Sequence, residues 1–205
     1  MTLLRTVVVS GSGSAPSRTL TLARDILAAV QNEVPVEPHV IDIADVGSDL
    51  GRALARRDLS PAAERALQLV ESADILIAAT PVYRGSYTGH FKHLFDLVDQ
   101  NALIDTPVIL AATGGSDKHC LVIEHQLRPL FGFLQSYTVP VGVYASHADF
   151  ENGQVKAEVV LARIVTAARQ AVSLVRSRAA VIERPNAPLS TNPATRSPEP
   201  IRPSH

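Results

Sequence analysis

"VVVSGSGSAPSRT", residues 7–19, joins three consecutive valines to a loop of glycine and hydroxyl residues. An uninterrupted run of branched apolar residues is typical of a parallel strand that is covered on both faces. Gly11 and Gly13 allow a tight turn after this strand, and we expect a helix to begin near Ser17. The first amides of a helix point out of its positive dipole end, so this loop is a candidate phosphate site. A serine-rich turn with an ordinary helix cap is the alternative.

Short apolar runs alternate with helix-periodic segments along the chain. The strand candidates are residues 6–10, 39–43, 74–80, 107–113 and 139–145, and the helix candidates are residues 20–30, 61–70, 91–98, 119–135 and 156–180. This alternation predicts an α/β fold, a doubly wound parallel sheet with helices on both faces. Five strands favour the flavodoxin-like order 2-1-3-4-5, in which ligands bind beyond the carboxyl ends of the strands.

Composition predicts one domain at residues 1–182 and a tail at 183–205. The chain has 205 residues, 46% of them hydrophobic, which suffices for a full core. Six of the 14 prolines follow Arg184 among few apolar side chains, so we expect this Pro-rich tail to be disordered.

A net charge of -1 argues against binding to nucleic acid or to an anionic membrane. With one cysteine, no apolar run of membrane-spanning length and no cleavable signal, we expect a cytoplasmic protein.

Two further loops follow the third and fourth strand candidates. The first, "TPVYRGS" (80–86), has a proline that ends the strand and a flat amphipathic ring at Tyr83. The second, "TGGS" (113–116), exposes backbone amides at Gly114 and Gly115, a pair that taken alone is only a turn. Phosphate-binding hydroxyls, an aromatic wall and a glycine edge together describe a ligand with a phosphate and a planar polar ring. Flavin mononucleotide (FMN) fits this description.

Three side chains at helical spacing could instead face a metal ion. They are His90, His93 and Asp96, all from one helix candidate. No second cluster of ligands completes the set. We therefore favour a solvated helix face here and expect no metal site.

The three loops resemble those of a known family. The pattern G-S-x(4)-S-R-[ST], then ATPVY-x(5)-G-x-x-K-x-x-x-D, then ATGG is similar to the NAD(P)H-dependent FMN reductases of the flavodoxin-like superfamily. The nearest likeness is to the reductases of two-component alkanesulfonate and methanesulfonate monooxygenase systems, over residues 6–178. The resemblance implies ten FMN-binding positions: Ser12, Ser17, Arg18 and Thr19 at the phosphate, Pro81, Val82 and Tyr83 along the isoalloxazine ring, and Thr113, Gly114 and Gly115 at its pyrimidine edge.

The same resemblance bears on assembly. His125 stands where the sulfonate-system reductases carry an inserted tyrosine or histidine, which forms a π-bulge at a subunit interface near the flavin. An ordinary helix with a half-buried histidine is the alternative. Relatives form dimers or tetramers, so we expect a homodimer or homotetramer with contacts from helices 91–98 and 119–134. Lys92 and Asp96 then belong to a subunit contact.

Three functions are compatible with an FMN site. The resemblance implies an NAD(P)H:FMN oxidoreductase that transfers hydride to FMN and supplies reduced flavin to a partner monooxygenase, of the sulfonate type. In this reaction the flavin carries the chemistry, so no catalytic side chain is required. The alternatives are a flavodoxin-like electron carrier, a class that is usually strongly acidic, and a quinone or azo reductase. The residues do not distinguish NADH from NADPH.

Overall fold

The structure, a computed structural model, describes residues 3–182 and the side chains of residues 3–178. The Pro-rich segment 183–205, for which the sequence predicts disorder, lies outside the described residues. None of the helices in the described part combines the length and the apolar character needed to cross a membrane.

The main sheet has the predicted strand order 2-1-3-4-5, so the flavodoxin-like fold class is confirmed. Its strands are β1 (Leu4–Ser10), β2 (Val36–Asp42), β3 (Ile75–Pro81), β4 (Pro107–Gly114), β5 (Tyr137–Thr138) and β6 (Val143–Ser146). All of them pair in parallel, and both β5 and β6 pair with β4. An antiparallel hairpin of β7 (Phe150–Glu151) and β8 (Gln154–Val155) follows the sheet.

Helices cover both faces of this sheet. They are α1 (Arg18–Glu33), α2 (Ile43–Arg52), α3 (Pro61–Glu71), α4 (Gly89–Leu97), α5 (Arg128–Phe133) and α6 (Glu158–Ile182), with a π-helical turn at Ile123–Leu127 before α5. Val8 packs with α1 and α6 on one face, whereas Val7 and Val9 pack with the other helices on the opposite face. All three valines are fully buried, and each such burial contributes about 1.5–3 kcal/mol.

The predicted start of two helices is confirmed by their caps. Ser17 Oγ accepts the N–H of Leu20 at 3.1 Å at the N-terminus of α1. Ser60 Oγ accepts the N–H of Ala63 at 3.2 Å, and Pro61 occupies the first turn of α3. Because each cap satisfies an amide that has no partner within the helix, the chain begins its helix at these positions.

The fifth strand differs from the single strand predicted at 139–145. It is divided into β5 and β6, which pair with different parts of β4. Pro140 lies in the interruption and has no N–H to donate to a neighbouring strand. The side chains of Arg128 and Arg163 donate to backbone carbonyls of the interrupted segment at 3.0 and 2.7 Å. Side chains thus replace the missing ladder, which no periodicity in the sequence indicates.

Helix α2 has no counterpart among the predicted elements. The strand predicted at 39–43 ends one residue earlier, and Ile43 begins the helix. Gly47 and Gly51 lower the helix propensity of this segment by about 1 kcal/mol each, which hides the pattern. The helix forms because Asp42 Oδ1 accepts a first-turn amide at 3.3 Å and because its apolar side chains are buried against the core.

Gly11 lies where β1 ends, in close contact with its neighbours. Its N–H donates to Ala79 O at 2.7 Å, and its carbonyl accepts a hydrogen bond from Thr88 Oγ1 at 2.8 Å. A Cβ at this position would lie 2.9 Å from Phe91 Cδ2 and 3.0 Å from Thr80 Oγ1. A side chain there would displace the start of α4, so glycine is required by packing.

We expect Gly11→Ala to lower the free energy of unfolding by about 1–3 kcal/mol, because the added methyl overpacks this contact. Urea denaturation measures the change. Gly13→Ala is the matched control, because a Cβ on Gly13 meets no atom within 4 Å. We expect that control to stay within about 0.5 kcal/mol of the wild type. Equal stability of the two variants would contradict the conclusion that packing requires a glycine at position 11.

Candidate functional site

A pocket of about 480 Å³ opens at the carboxyl edge of the sheet, within the range of sites for cofactors. All ten of the sequence-predicted binding residues line it: Ser12, Ser17, Arg18, Thr19, Pro81, Val82, Tyr83, Thr113, Gly114 and Gly115. They come from the loops after β1, β3 and β4, which are neighbours in the sheet. The fold therefore brings the three loops to one place.

The N-terminus of α1 forms one end of the pocket. Ser17 Oγ accepts the N–H of Leu20, so its own hydroxyl proton remains free to be donated to a ligand. The amides of Arg18 and Thr19 lie in the first turn, where no intrahelical acceptor exists. Ser17 thus both caps the helix and faces the pocket, and its replacement would affect stability and binding together.

Three buried hydroxyl groups of the wall, those of Ser12, Thr19 and Thr113, form hydrogen bonds within the protein. Ser12 Oγ donates to Ser14 O at 3.3 Å and accepts the Ser14 amide at 3.4 Å, which closes the turn of the first loop. Thr19 Oγ1 lies 2.7 Å from Thr113 Oγ1, and both side chains are buried. This bond ties the start of α1 to the end of β4.

The charge of this end of the pocket suits an anion. The exposed Arg18 lines it, with its guanidinium 6.0 Å from the centroid of the Phe150 ring. Within residues 3–178, no carboxylate lines the pocket and Arg18 forms no ion pair. A cation, free amides and hydroxyls without a competing acid are the groups that bind a phosphate.

The loop after β3 forms a wall at the other end. The N–H of Val82 donates to β4 at 2.7 Å, which fixes the start of the loop. Tyr83 and Ser86 exchange backbone hydrogen bonds of 2.9 and 3.2 Å across a turn. Arg84 and Gly85 have φ angles of 53° and 85°, as a type I′ turn requires. The Tyr83 side chain is 54% exposed and presents its ring at the pocket mouth.

Gly114 and Gly115 differ in what surrounds them. A Cβ on Gly115 would meet no atom within 4 Å, so this residue faces open space. A Cβ on Gly114 would lie 2.1 Å from Tyr144 Oη. Tyr144 donates from that oxygen to Ser116 O at 2.5 Å, and burial, with nearby Asp117, raises the pKa of Tyr144 to about 12. Packing against Tyr144 explains the glycine at 114, whereas an approaching ligand edge would require the glycine at 115.

Sequence reasoning missed a fourth segment that lines the pocket. Residues 147–153, a short turn followed by the hairpin, contribute His147, Phe150, Asn152 and Gly153. The first loop adds Ser14 and Pro16, and α1 adds Thr21. Asn152 and Gly153 have φ angles of 50° and 79°, a turn for which Asn-Gly is a strong sequence signal. That signal predicts the hairpin but not its position beside α1.

The π-helical turn lies where the sequence predicts a π-bulge. His125 is at its centre and is exposed, so the alternative of an ordinary α-helix is wrong. Ser86 Oγ donates to Gln126 Oε1 at 3.1 Å and links this turn to the loop after β3. The role of His125 at a subunit interface stays a prediction.

The sequence predicts a solvated helix face for His93, but the structure places its ring against the backbone of α2. Its Nε2 lies 2.9 Å from both Leu50 O and Ala53 O at the end of α2. A ring N–H in this position donates to carbonyls at the C-terminus of α2, where Leu50 O also accepts the N–H of Ala53 at 3.1 Å. The neighbouring pair Lys92 and Asp96 forms an i,i+4 ion pair on the same helix.

We expect Gly114→Ala to lower the free energy of unfolding by about 1–3 kcal/mol, because its methyl displaces the Tyr144 hydroxyl. The pKa of Tyr144 should then fall toward its ordinary value of about 10, as ultraviolet titration measures. Gly115→Ala is the control, with an expected change in stability within about 0.5 kcal/mol. A Gly114→Ala protein with the stability and the tyrosine titration of the wild type would refute this packing.

Comparison with known proteins agrees with this geometry. The model of the NADPH-dependent FMN reductase family matches residues 4–151. The NADH-dependent FMN reductase SfnE of Pseudomonas putida is 54% identical over 173 residues, which cover 84% of this chain and 93% of that protein. The FMN reductase (NADPH) of Pseudomonas aeruginosa is 49% identical over 179 residues, 87% of this chain and 96% of that protein.

A solved structure supports the same assignment. The X-ray structure of an oxidoreductase from Corynebacterium diphtheriae is 34% identical, with a TM-score of 0.77 over 86% of this chain and 99% of that one. The family model, the two relatives and the solved structure agree. This chain belongs to the NADPH-dependent FMN reductase family.

Proposed function

We propose that this chain is an NAD(P)H:FMN oxidoreductase that supplies reduced flavin to a partner monooxygenase. The observation that carries the proposal is the single pocket in which the loops after β1, β3 and β4 meet. Membership of the FMN reductase family supports the reaction and its two cofactors. The sulfonate type of monooxygenase rests on the motifs of the three loops.

The residues of the pocket fit FMN at both ends. Free amides, hydroxyls and a guanidinium, with no carboxylate among the described residues of the lining, suit a phosphate dianion. The open space at Gly115 leaves room for the edge of a planar ring. When bound, FMN accepts a hydride from NAD(P)H and carries the electrons to an acceptor, which is chemistry that no side chain here needs to perform.

The chain's own residues would bind and orient the two cofactors. Ser17 and Arg18, with the first amides of α1, would hold the phosphate. Val82 and Tyr83 would exclude water from one part of the ring, while Gly115 would offer a backbone amide to the ring edge. An amide fixed in this place stabilises negative charge that develops on the ring during reduction.

Two observations favour a reductase over an electron carrier. The net charge is only -1, whereas carriers of this fold are usually strongly acidic. The ring end of the pocket is open, with Tyr83 half-exposed, so a second cofactor and exchange of the flavin are both sterically allowed. A quinone or azo reductase would share these features, and the electron acceptor that it uses distinguishes it from an FMN reductase.

The direct test follows oxidation of NADH and of NADPH by their near-ultraviolet absorbance, with and without added FMN. We expect oxidation that depends on FMN, a faster turnover with free FMN than with a quinone, and a colourless protein after dialysis. Absence of FMN-dependent oxidation would refute the reductase. A protein that stays yellow and turns over only with a quinone would replace it with the quinone reductase.

We also propose a cytoplasmic protein that associates with a second copy around the π-helical turn. Leu121 lies two residues before this turn and Phe133 is the last residue of α5, the helix that continues it; they are 57% and 70% exposed. The apolar stripe of α4, the other candidate contact, is instead buried in the chain's own core, which includes Phe91, Leu94 and Phe95.

The proposed cytoplasmic location follows from the intracellular supply of NAD(P)H, and cell fractionation tests it.

We expect light scattering to give a mass above the 21.9 kDa of one chain, and Phe133→Asp to reduce that mass toward one chain. A buried carboxylate without a partner is costly, so the charge should separate the copies. Val40→Asp is the control, because Val40 is 42% exposed on β2, an edge strand that β1 and β3 separate from β4 and from the turn after it. A wild type that is monomeric, or a Phe133→Asp protein of unchanged mass, would contradict the proposal.

A further inference from the structure

We propose that Phe150, on the hairpin after β6, is a positioning residue that holds Arg18 at the phosphate end of the pocket. Phe150 would thereby set the preference of the protein for a phosphorylated flavin over riboflavin. This inference rests on the proposed function, because it takes FMN as the ligand.

Arg18 needs an external support to act on a ligand. It is the first residue of α1, its side chain is exposed, and within residues 3–178 it forms no ion pair. A long side chain without a partner samples many rotamers, and binding a phosphate would have to restrict them all. A contact that restricts them beforehand strengthens binding without adding any contact to the ligand.

The Phe150 ring provides this contact. The Arg18 guanidinium carbon lies 6.0 Å from the centroid of the ring, at the distance of a cation–π interaction. Both residues line the pocket, so the guanidinium remains accessible to a ligand while it lies over the ring. The interaction leaves the positive charge in place, unlike an ion pair with a carboxylate, which would compete with a phosphate.

The ring is itself fixed by the hairpin that carries it. Phe150 is half-buried, packs against the core below α1 and α6, and pairs with the buried Val155 on the neighbouring strand. At the base of the hairpin, the amide and the hydroxyl of Ser146 donate to Asp149 Oδ2 at 2.7 and 2.9 Å. The amide of Lys156 donates to Asp149 O at 2.8 Å. The hairpin is therefore braced on both strands before any ligand binds.

These bonds also engage the carboxylate that precedes Phe150 in the sequence. The carboxylate of Asp149 accepts from Ser146 and does not line the pocket, so it does not neutralise Arg18. His147 lines the same wall. Arg18 over Phe150 is thus the fixed positive group of this end of the pocket, and its position depends on one aromatic ring.

The test compares FMN with riboflavin, which lacks the phosphate. Dissociation constants are measured by quenching of flavin fluorescence, alongside the KM for each flavin. We expect Phe150→Leu to weaken FMN binding about three- to ten-fold and to leave riboflavin binding unchanged. Phe150→Tyr keeps a ring and should restore the wild-type preference. The double variant of Phe150→Leu with Arg18→Gln should bind FMN no more weakly than Arg18→Gln alone.

Arg24→Gln is the matched control, because it removes the same charge from an exposed position on α1 outside the pocket. It should bind both flavins as the wild type does. Equal loss of both flavins in Phe150→Leu, or additive losses in the double variant, would overturn the positioning role. A wild type that oxidises NAD(P)H with FMN but binds riboflavin equally well would overturn it too, with the reductase intact. A wild type without FMN-dependent oxidation would refute the proposed function itself.

Discussion

Hydrogen bonds from the loop of one strand to the end of the next hold the carboxyl edge of this sheet together, and the pocket depends on them. Gly11 donates to Ala79 O, and Val82 donates to Thr113 O, each at 2.7 Å. The buried hydroxyls of Thr19 and Thr113 form a third bond of 2.7 Å. Each such bond contributes only about 0.5–1.5 kcal/mol, but a buried group left without its partner costs more. The loops therefore keep their places without a ligand.

This edge gives the two ends of the pocket different properties. At the end formed by α1, the polar groups are supplied by a helix terminus, and a braced hairpin lies opposite. At the other end, Tyr83 is carried by a four-residue turn and Gly115 faces open space. A site that is rigid around a phosphate and open around a ring can bind a flavin by its charged end and still exchange it. That division is consistent with a flavin that is a substrate as well as a cofactor.

Local patterns in the sequence predict most of the framework, because they report local causes. Three valines in succession indicate a strand buried on both faces, and Ser17 indicates the residue at which α1 begins. The interruption at Pro140 and the helix that contains Gly47 were missed for a common reason. Both segments have poor local propensity, and tertiary contacts override it: arginine side chains in the first case, burial and an aspartate cap in the second.

The site divides in the same way. The loops after β1, β3 and β4 could be combined from sequence, because the topology of a doubly wound sheet brings the carboxyl ends of its strands to one edge. The contact of Gly114 with a ligand stays a prediction, whereas the need for a glycine at this position is explained by Tyr144, which only the packing shows.

The hairpin is the instructive omission. The sequence Asn152-Gly153 predicts its turn, but no local sequence pattern predicts that Phe150 lies close to Arg18, at the end of the first loop. The strands of a parallel sheet determine which loops can meet, and the loops determine which side chains face a ligand. A residue that acts by holding another side chain can be identified only from the tertiary contact between the two. Such a residue has no sequence motif, because any aromatic ring held at that distance would have the same effect. Sequence patterns therefore identify the residues that bind a ligand more readily than the residues that position them.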